Sequence, residues 1–145
     1  MNIKQALKRK NKLTQLINEE FLKAAKYNVI EEGNPRPYSS VESIAKWQNL
    51  SNELVQLKTK IHKANLPMYE MIFTLSETKN QIKHLRNLDC SSGISYNRWD
   101  PEKPIIKHSE INIVERDGMI KSLEERIEII QDELDKWNHN TLIED

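Results

Sequence analysis

Hydrophobic residues along this chain follow two different periods. Ile3, Ala6, Leu7, Leu13, Leu16, Ile17, Phe21 and Ala24 share one stripe at helical spacing, which predicts a helix over about residues 2–27. Gly33, Pro35 and Pro37 then forbid continuous helix, and Ser39 or Ser40, ahead of Glu42 and Ser43, supplies the cap of a second helix over about 40–65. From Trp47 the steps alternate strictly between three and four, through Leu50, Leu54, Leu57, Ile61, Ala64, Met68, Met71, Leu75, Thr78, Ile82 and Leu85. A repeat of 3.5 keeps one seam facing a partner helix, as in a coiled coil. Pro67 falls inside that seam, removes a helical hydrogen bond and disfavours helix at Leu66. The chain therefore either kinks there or ends one helix and starts another over about 67–88.

The period changes between Ser92 and Val114. In "PIIKHSEINIV" the branched residues Ile105, Ile106, Ile111, Ile113 and Val114 cluster, and Ile111 and Ile113 alternate with Glu110 and Asn112, which predicts a strand. Pairing it with "GISYNRW" across a "DPEKP" turn gives a β-hairpin over about 92–114. An isolated two-stranded hairpin is marginal in water, so this one must pack on the helices or on a neighbouring subunit. A second strict seam, Ile120, Leu123, Ile127, Ile130, Leu134 and Trp137, predicts a last helix over about 117–138. The fold class expected is all-α: a single domain, 1–145, forming an antiparallel bundle or coiled coil of three to four helices, with a small β-hairpin arm before the last helix.

Composition supports this picture. Of 145 residues, 30% are charged and only three are glycine, which suits helices with solvated faces. Basic and acidic residues balance at 22 each, so the whole molecule has no bulk attraction to nucleic acid or anionic lipid. The ends differ. Residues 1–30 hold seven bases against Glu19 and Glu20, and residues 109–145 hold eleven acids against four bases, so the two ends are expected side by side within one chain or between chains. Cys90 is the only cysteine, and no apolar run of signal-peptide or membrane-spanning length occurs. A cytoplasmic location is the resulting expectation, with no membrane partner.

Five blocks in order, "QALKRKNKL", "VIEEGNPRP", "KIHKANLPMYEMIFTLSE", "SEINIVERD" and "IQDELDKWNHNTLIE", resemble from end to end the small bacterial proteins called septicolysin-like. The resemblance implies an α-helical protein that associates into oligomers and carries no established activity. Its label suggests a thiol-activated cytolysin, yet Cys90 stands in a polar "DCSSG" turn, and the chain lacks the long amphipathic strand pair or apolar helix that a pore needs. Near Pro67 it departs from relatives that carry a glycine-containing loop.

Candidate chemistry is sparse. Asp135 and His139 at i and i+4 can share a metal, but His62, His84 and His108 supply no second ligand pair, so no metal or cofactor is expected. Cys90 has no histidine placed to activate it, and Glu110 with Asp117 or Glu70 with Glu77 are carboxylate pairs of a kind that chance supplies in a charged helical protein. Lys8, Arg9, Lys10 and Lys12 are the candidate nucleic-acid contacts, without aromatic residues to stack bases. Tyr96, Arg98 and Trp99 fit no seam and have the composition of an interface hot spot; Ile111, Ile113 and Trp137 complete the interface candidates. The function expected is non-enzymatic: a homo-oligomeric coiled-coil scaffold or protein-interaction module, its partner a second copy or another protein. The alternatives are a nucleic-acid-binding protein using the basic first helix, and a toxin-like protein related to cytolysins.

Overall fold

A computed structural model describes residues 1–145. Helix accounts for 69% of them, and a small two-stranded antiparallel sheet precedes the last helix. The elements run α1 (Ile3–Tyr27), α2 (Ser40–Asn65), a 3₁₀ segment (Leu66–Met68), α3 (Tyr69–Arg86), β1 (Gly93–Asn97), β2 (Asp100–Lys107) and α4 (Ile113–Asn140). At Pro67, where kink and restart were both open, the chain passes through the 3₁₀ segment and resumes helix at Tyr69. The chain divides into two compact units: residues 1–67 with 135–145, and residues 68–134.

The first unit is built on α1 and α2. Asn2 caps α1 by accepting the Gln5 N–H at 2.8 Å while Gln5 Oε1 accepts the Asn2 N–H at 3.0 Å, a reciprocal capping box. Ser39 caps α2 through the Glu42 N–H. Between the helices, Arg36 donates to the carbonyls of Tyr27 and Asn28 and so satisfies the end of α1. Gly33 turns this loop at φ 88°, a conformation that side-chain-bearing residues rarely adopt. The pairs Ser40 with Ala24, Glu20 with Lys46 and Arg9 with Glu53 run in opposite orders along the two helices, so α1 and α2 are antiparallel. Ile3, Ala6, Leu13, Leu57 and Ile61 form the buried core, with Leu7, Leu50, Leu54, Ala64, Trp137 and Ile143 packed around it. The seam of α2 that the sequence marked is therefore its covered side.

The end segment closes this unit. Ile3 N donates to Thr141 O at 3.0 Å, Ile143 N donates to Met1 O at 3.0 Å, and Asn2 Nδ2 reaches His139 O at 3.0 Å. The two charge-biased ends do meet, but through backbone hydrogen bonds and apolar packing, and Glu144 pairs with Lys63 of α2. Short-range contacts set this arrangement because interactions between exposed charges are screened within about 10 Å.

In the second unit, α3 buries Thr78 and Ile82, and α4 buries Ile120, Ile130 and Leu134. Arg86 bridges to Glu124 at 3.0 Å, and Arg116 donates to the Leu88 carbonyl at 3.3 Å. Here two sequence expectations are corrected. Ile111 and Ile113 are not in a strand: Asn112 Oδ1 accepts the Glu115 N–H at 2.8 Å, and Ile113 and Val114 open α4, four residues earlier than predicted. A local cap outweighs the β-propensity of three branched residues. The hairpin spans 93–107 rather than 92–114, and its turn is Arg98 and Trp99 rather than "DPEKP", which forms the first five residues of β2.

Gly118 lies inside α4 with nothing within 4 Å of an added Cβ. Gly118→Ala should therefore stabilise the protein by about 0.5–1 kcal/mol in a denaturant titration. Glu20 occupies a buried position of the α1 seam, with Lys46 Nζ at 3.1 Å and Lys23 Nζ at 3.7 Å. The Lys46 hydrogen bond, helped by the charges of both lysines, holds its carboxyl below the ordinary value of 4.5. Stability from a depressed carboxyl is complete above the unfolded value and is lost as pH falls through the folded one. Thermal melts of Glu20→Gln should accordingly depend less on pH below about 4.5 than those of the parent.

Candidate functional site

The hairpin β1–β2 is the most exposed regular element of the chain. Every residue of both strands is exposed except Asp100, which is half-buried. Its pairs are Gly93 with Lys107, Ile94 with Ile106, Ser95 with Ile105, Tyr96 with Pro104 and, past a register break, Asn97 with Asp100. Residues paired across an antiparallel ladder lie on the same face, and neighbours along a strand alternate. One face therefore carries Ile94, Tyr96, Pro104 and Ile106, all apolar; the other carries Ser95 with Ile105 and Gly93 with Lys107. Ile94 is 62% exposed and Tyr96 64%.

Proline fixes the hydrogen-bond phase. Pro104 has no N–H, so Tyr96 and Pro104 form a non-hydrogen-bonded pair, and the ladder bonds belong to Gly93 with Lys107 and Ser95 with Ile105. The N–H and C=O groups of Ile94 and Tyr96 then point away from β2, toward the open edge of β1. At the tip, the Trp99 N–H donates to Asn97 Oδ1 at 3.0 Å, and Trp99 itself is 90% exposed. No residue except glycine has positive φ, so Arg98 and Trp99 do not form one of the mirror-image turns that suit strand twist, and the ladder breaks beside them. The base is pinned: Ser109 N donates to Ser92 Oγ at 3.0 Å, and the two hydroxyls lie 2.9 Å apart.

The sequence candidates scatter. Tyr96, Arg98 and Trp99 belong to this arm. Ile111 lies beyond β2, in the connection to α4, and Ile113 is the first residue of α4, both exposed. Trp137 packs against the core of the first unit. Ile94 and Ile106 are the arm residues that sequence reasoning missed, because with the turn placed at "DPEKP" their pairing is invisible.

Among the basic candidates, Arg9 is bound to Glu53 at 2.6 Å, Lys10 is half-buried and Lys12 is exposed. Lys8 lines an open cleft of about 680 Å³ together with Lys4, Asn11, Asp135, Lys136 and His139. Glu70 and Glu77 share a shallow groove with Phe73 and Arg126, while Asp117 is bound to Arg116 at 3.1 Å. His84 Nδ1 contacts its own helix at the Asn80 carbonyl, 2.8 Å away. Cys90 is half-buried and free. No three His, Cys, Asp or Glu side chains are grouped to hold a metal ion, and no helix is long and apolar enough to cross a membrane.

No protein-family model, no curated protein and no solved structure matches this chain.

Trp137 Nε1 is buried without a hydrogen-bond acceptor, so its indole serves the core as an apolar body and its polar atom is a cost. Trp137→Phe should leave thermal stability equal or higher, whereas Trp137→Ala, which opens the edge of the core of the first unit, should cost about 3 kcal/mol in a chemical melt.

Proposed function

We propose that this protein is a non-enzymatic, self-associating helical module, its helices packed as an antiparallel bundle of coiled-coil type and its hairpin arm engaging a second copy. The observation that carries the reading is the arm itself, two strands exposed on both faces. Three or more strands, or a covering helix, are ordinarily needed for a sheet to persist in water. The rest of the second unit points the same way. Ile82, Ile120, Ile130 and Leu134 are its buried apolar residues, while Phe73, Leu88, Trp99, Ile105, Ile111, Ile113, Val114, Met119 and Ile129 join the arm's apolar face in solvent. Together they outnumber the large apolar side chains that the unit buries. The resemblance to septicolysin-like proteins implies association as well.

Light scattering on the purified full chain should give a discrete mass above that of one copy, and replacing residues 92–109 with a short Gly-Ser link should lower it. A single copy at high concentration would refute the reading.

A further inference from the structure

The two edges of the hairpin are not equivalent. On β2 the outward-facing groups belong to Pro104 and Ile106, so one of its two donors is missing, and the strand also carries Pro101, Asp100, Glu102, Lys103 and Lys107. Proline and charge on a strand are the devices by which proteins close an edge to further pairing. On β1, "GISYN", there is no proline and no charge. Ile94 and Tyr96 present two donors and two acceptors outward, spaced as an antiparallel partner strand requires.

We infer that β1 pairs edge to edge with β1 of a second copy, antiparallel about a two-fold axis at Ser95. This rests on the self-association proposed above and names its interface. Ile94 of one copy then faces Tyr96 of the other and exchanges both backbone hydrogen bonds with it; the symmetry repeats the pair, giving four. No like charges meet, because β1 has none. The result is a four-stranded sheet in the order β2, β1, β1, β2, with rows of Ile106, Ile94, Tyr96 and Pro104 running across both copies on one face. Such a two-fold contact is self-complementary and closed, so it stops at the dimer instead of propagating.

Ile94 and Ile106 are paired neighbours on the same face, which gives a matched test. Ile94→Pro removes an outward N–H of β1, Ile106→Pro removes the outward N–H of β2, and neither takes a bond from the hairpin ladder. By light scattering, Ile94→Pro should lose the dimer with unchanged helical circular dichroism, and Ile106→Pro should keep it. Independently, Ser95→Cys in a Cys90→Ser background should oxidise to a covalent dimer, because the pair on the axis is a non-hydrogen-bonded one, whose side chains approach most closely and come within the span of a disulfide. Ile105→Cys in the same background, one strand further out, should not. A dimer kept by Ile94→Pro, its loss in both proline variants or in Ile106→Pro alone, or cross-linking no better at 95 than at 105, overturns the edge assignment while the self-association reading stands. A parent protein that is a single copy overturns both.

Discussion

A helix covers one stripe of its surface for each neighbour it has, and this chain supplies few neighbours. In the first unit the facing stripes are covered, although Leu22, Val29, Val41 and Val55 stay in solvent. The stripe of α1 and the seam of α2 face each other, and the open end of the pair is sealed by Trp137 and Ile143 from the last part of the chain. Ile3, Ala6 and Leu13 are fully covered as a result. In the second unit less is covered, since α3, the arm and the first part of α4 bury four apolar side chains and leave more than twice as many in water. Fully burying one such side chain is worth about 1.5–3 kcal/mol, so surface left this way is a standing free-energy incentive for association.

The first unit also shows how polar groups enter such a thin core. Ser40 places its hydroxyl on the Ala24 carbonyl at 3.1 Å, which satisfies a buried donor where α2 starts beside the end of α1. Glu20 sits where a leucine would continue the seam, and Lys46 and Lys23 neutralise it. Only the carboxylate is covered, and both ammonium groups stay in contact with solvent, so water screens the pair and its net contribution to stability is small. Its consequence here is positional: Glu20 meets Lys46 in only one relative placement of α1 and α2, and a slip by a heptad would leave the carboxylate with Lys23 of its own helix alone.

The helices were legible in the sequence because their signals are local. Steps of three and four from Trp47 to Ala64 named the covered side of α2, and Gly33 with Pro35 and Pro37 named the break before it. What was not legible depended on pairing or on competition between local signals. "NRWD" carries none of the Asn-Gly or Asp-Gly punctuation that announces a two-residue turn, whereas "DPEKP" carries two prolines, so the turn was sought four residues too late. That shift hid the partnership of Ile94 and Ile106. "EINIVE" reads as alternating β, but Asn112 followed by Glu115 is also a capping pair, and the cap prevails once α4 has Ile120 and Ile130 to bury. Glu20 on the seam became intelligible only with Lys46 in place.

The arm's exposure does not make it a loose appendage. Ser92 and Ser109 tie its two ends together, Asp89 Oδ1 accepts the Ser91 N–H at 2.9 Å, and Arg116 holds the Leu88 carbonyl from the first turn of α4. Arg116 is itself largely covered and braced by Asp117 at 3.1 Å. The approach to the strands is thus hydrogen-bonded to α4 just before the chain enters β1, and the exit is capped by Asn112 a few residues after β2. Ordering a flexible segment on binding costs about 0.5–1.5 kcal/mol for each side chain immobilised, with backbone terms in addition. An arm whose base is already fixed avoids part of that cost. The two serines, Asn112 and Arg116 thereby fix both ends of an otherwise marginal ribbon.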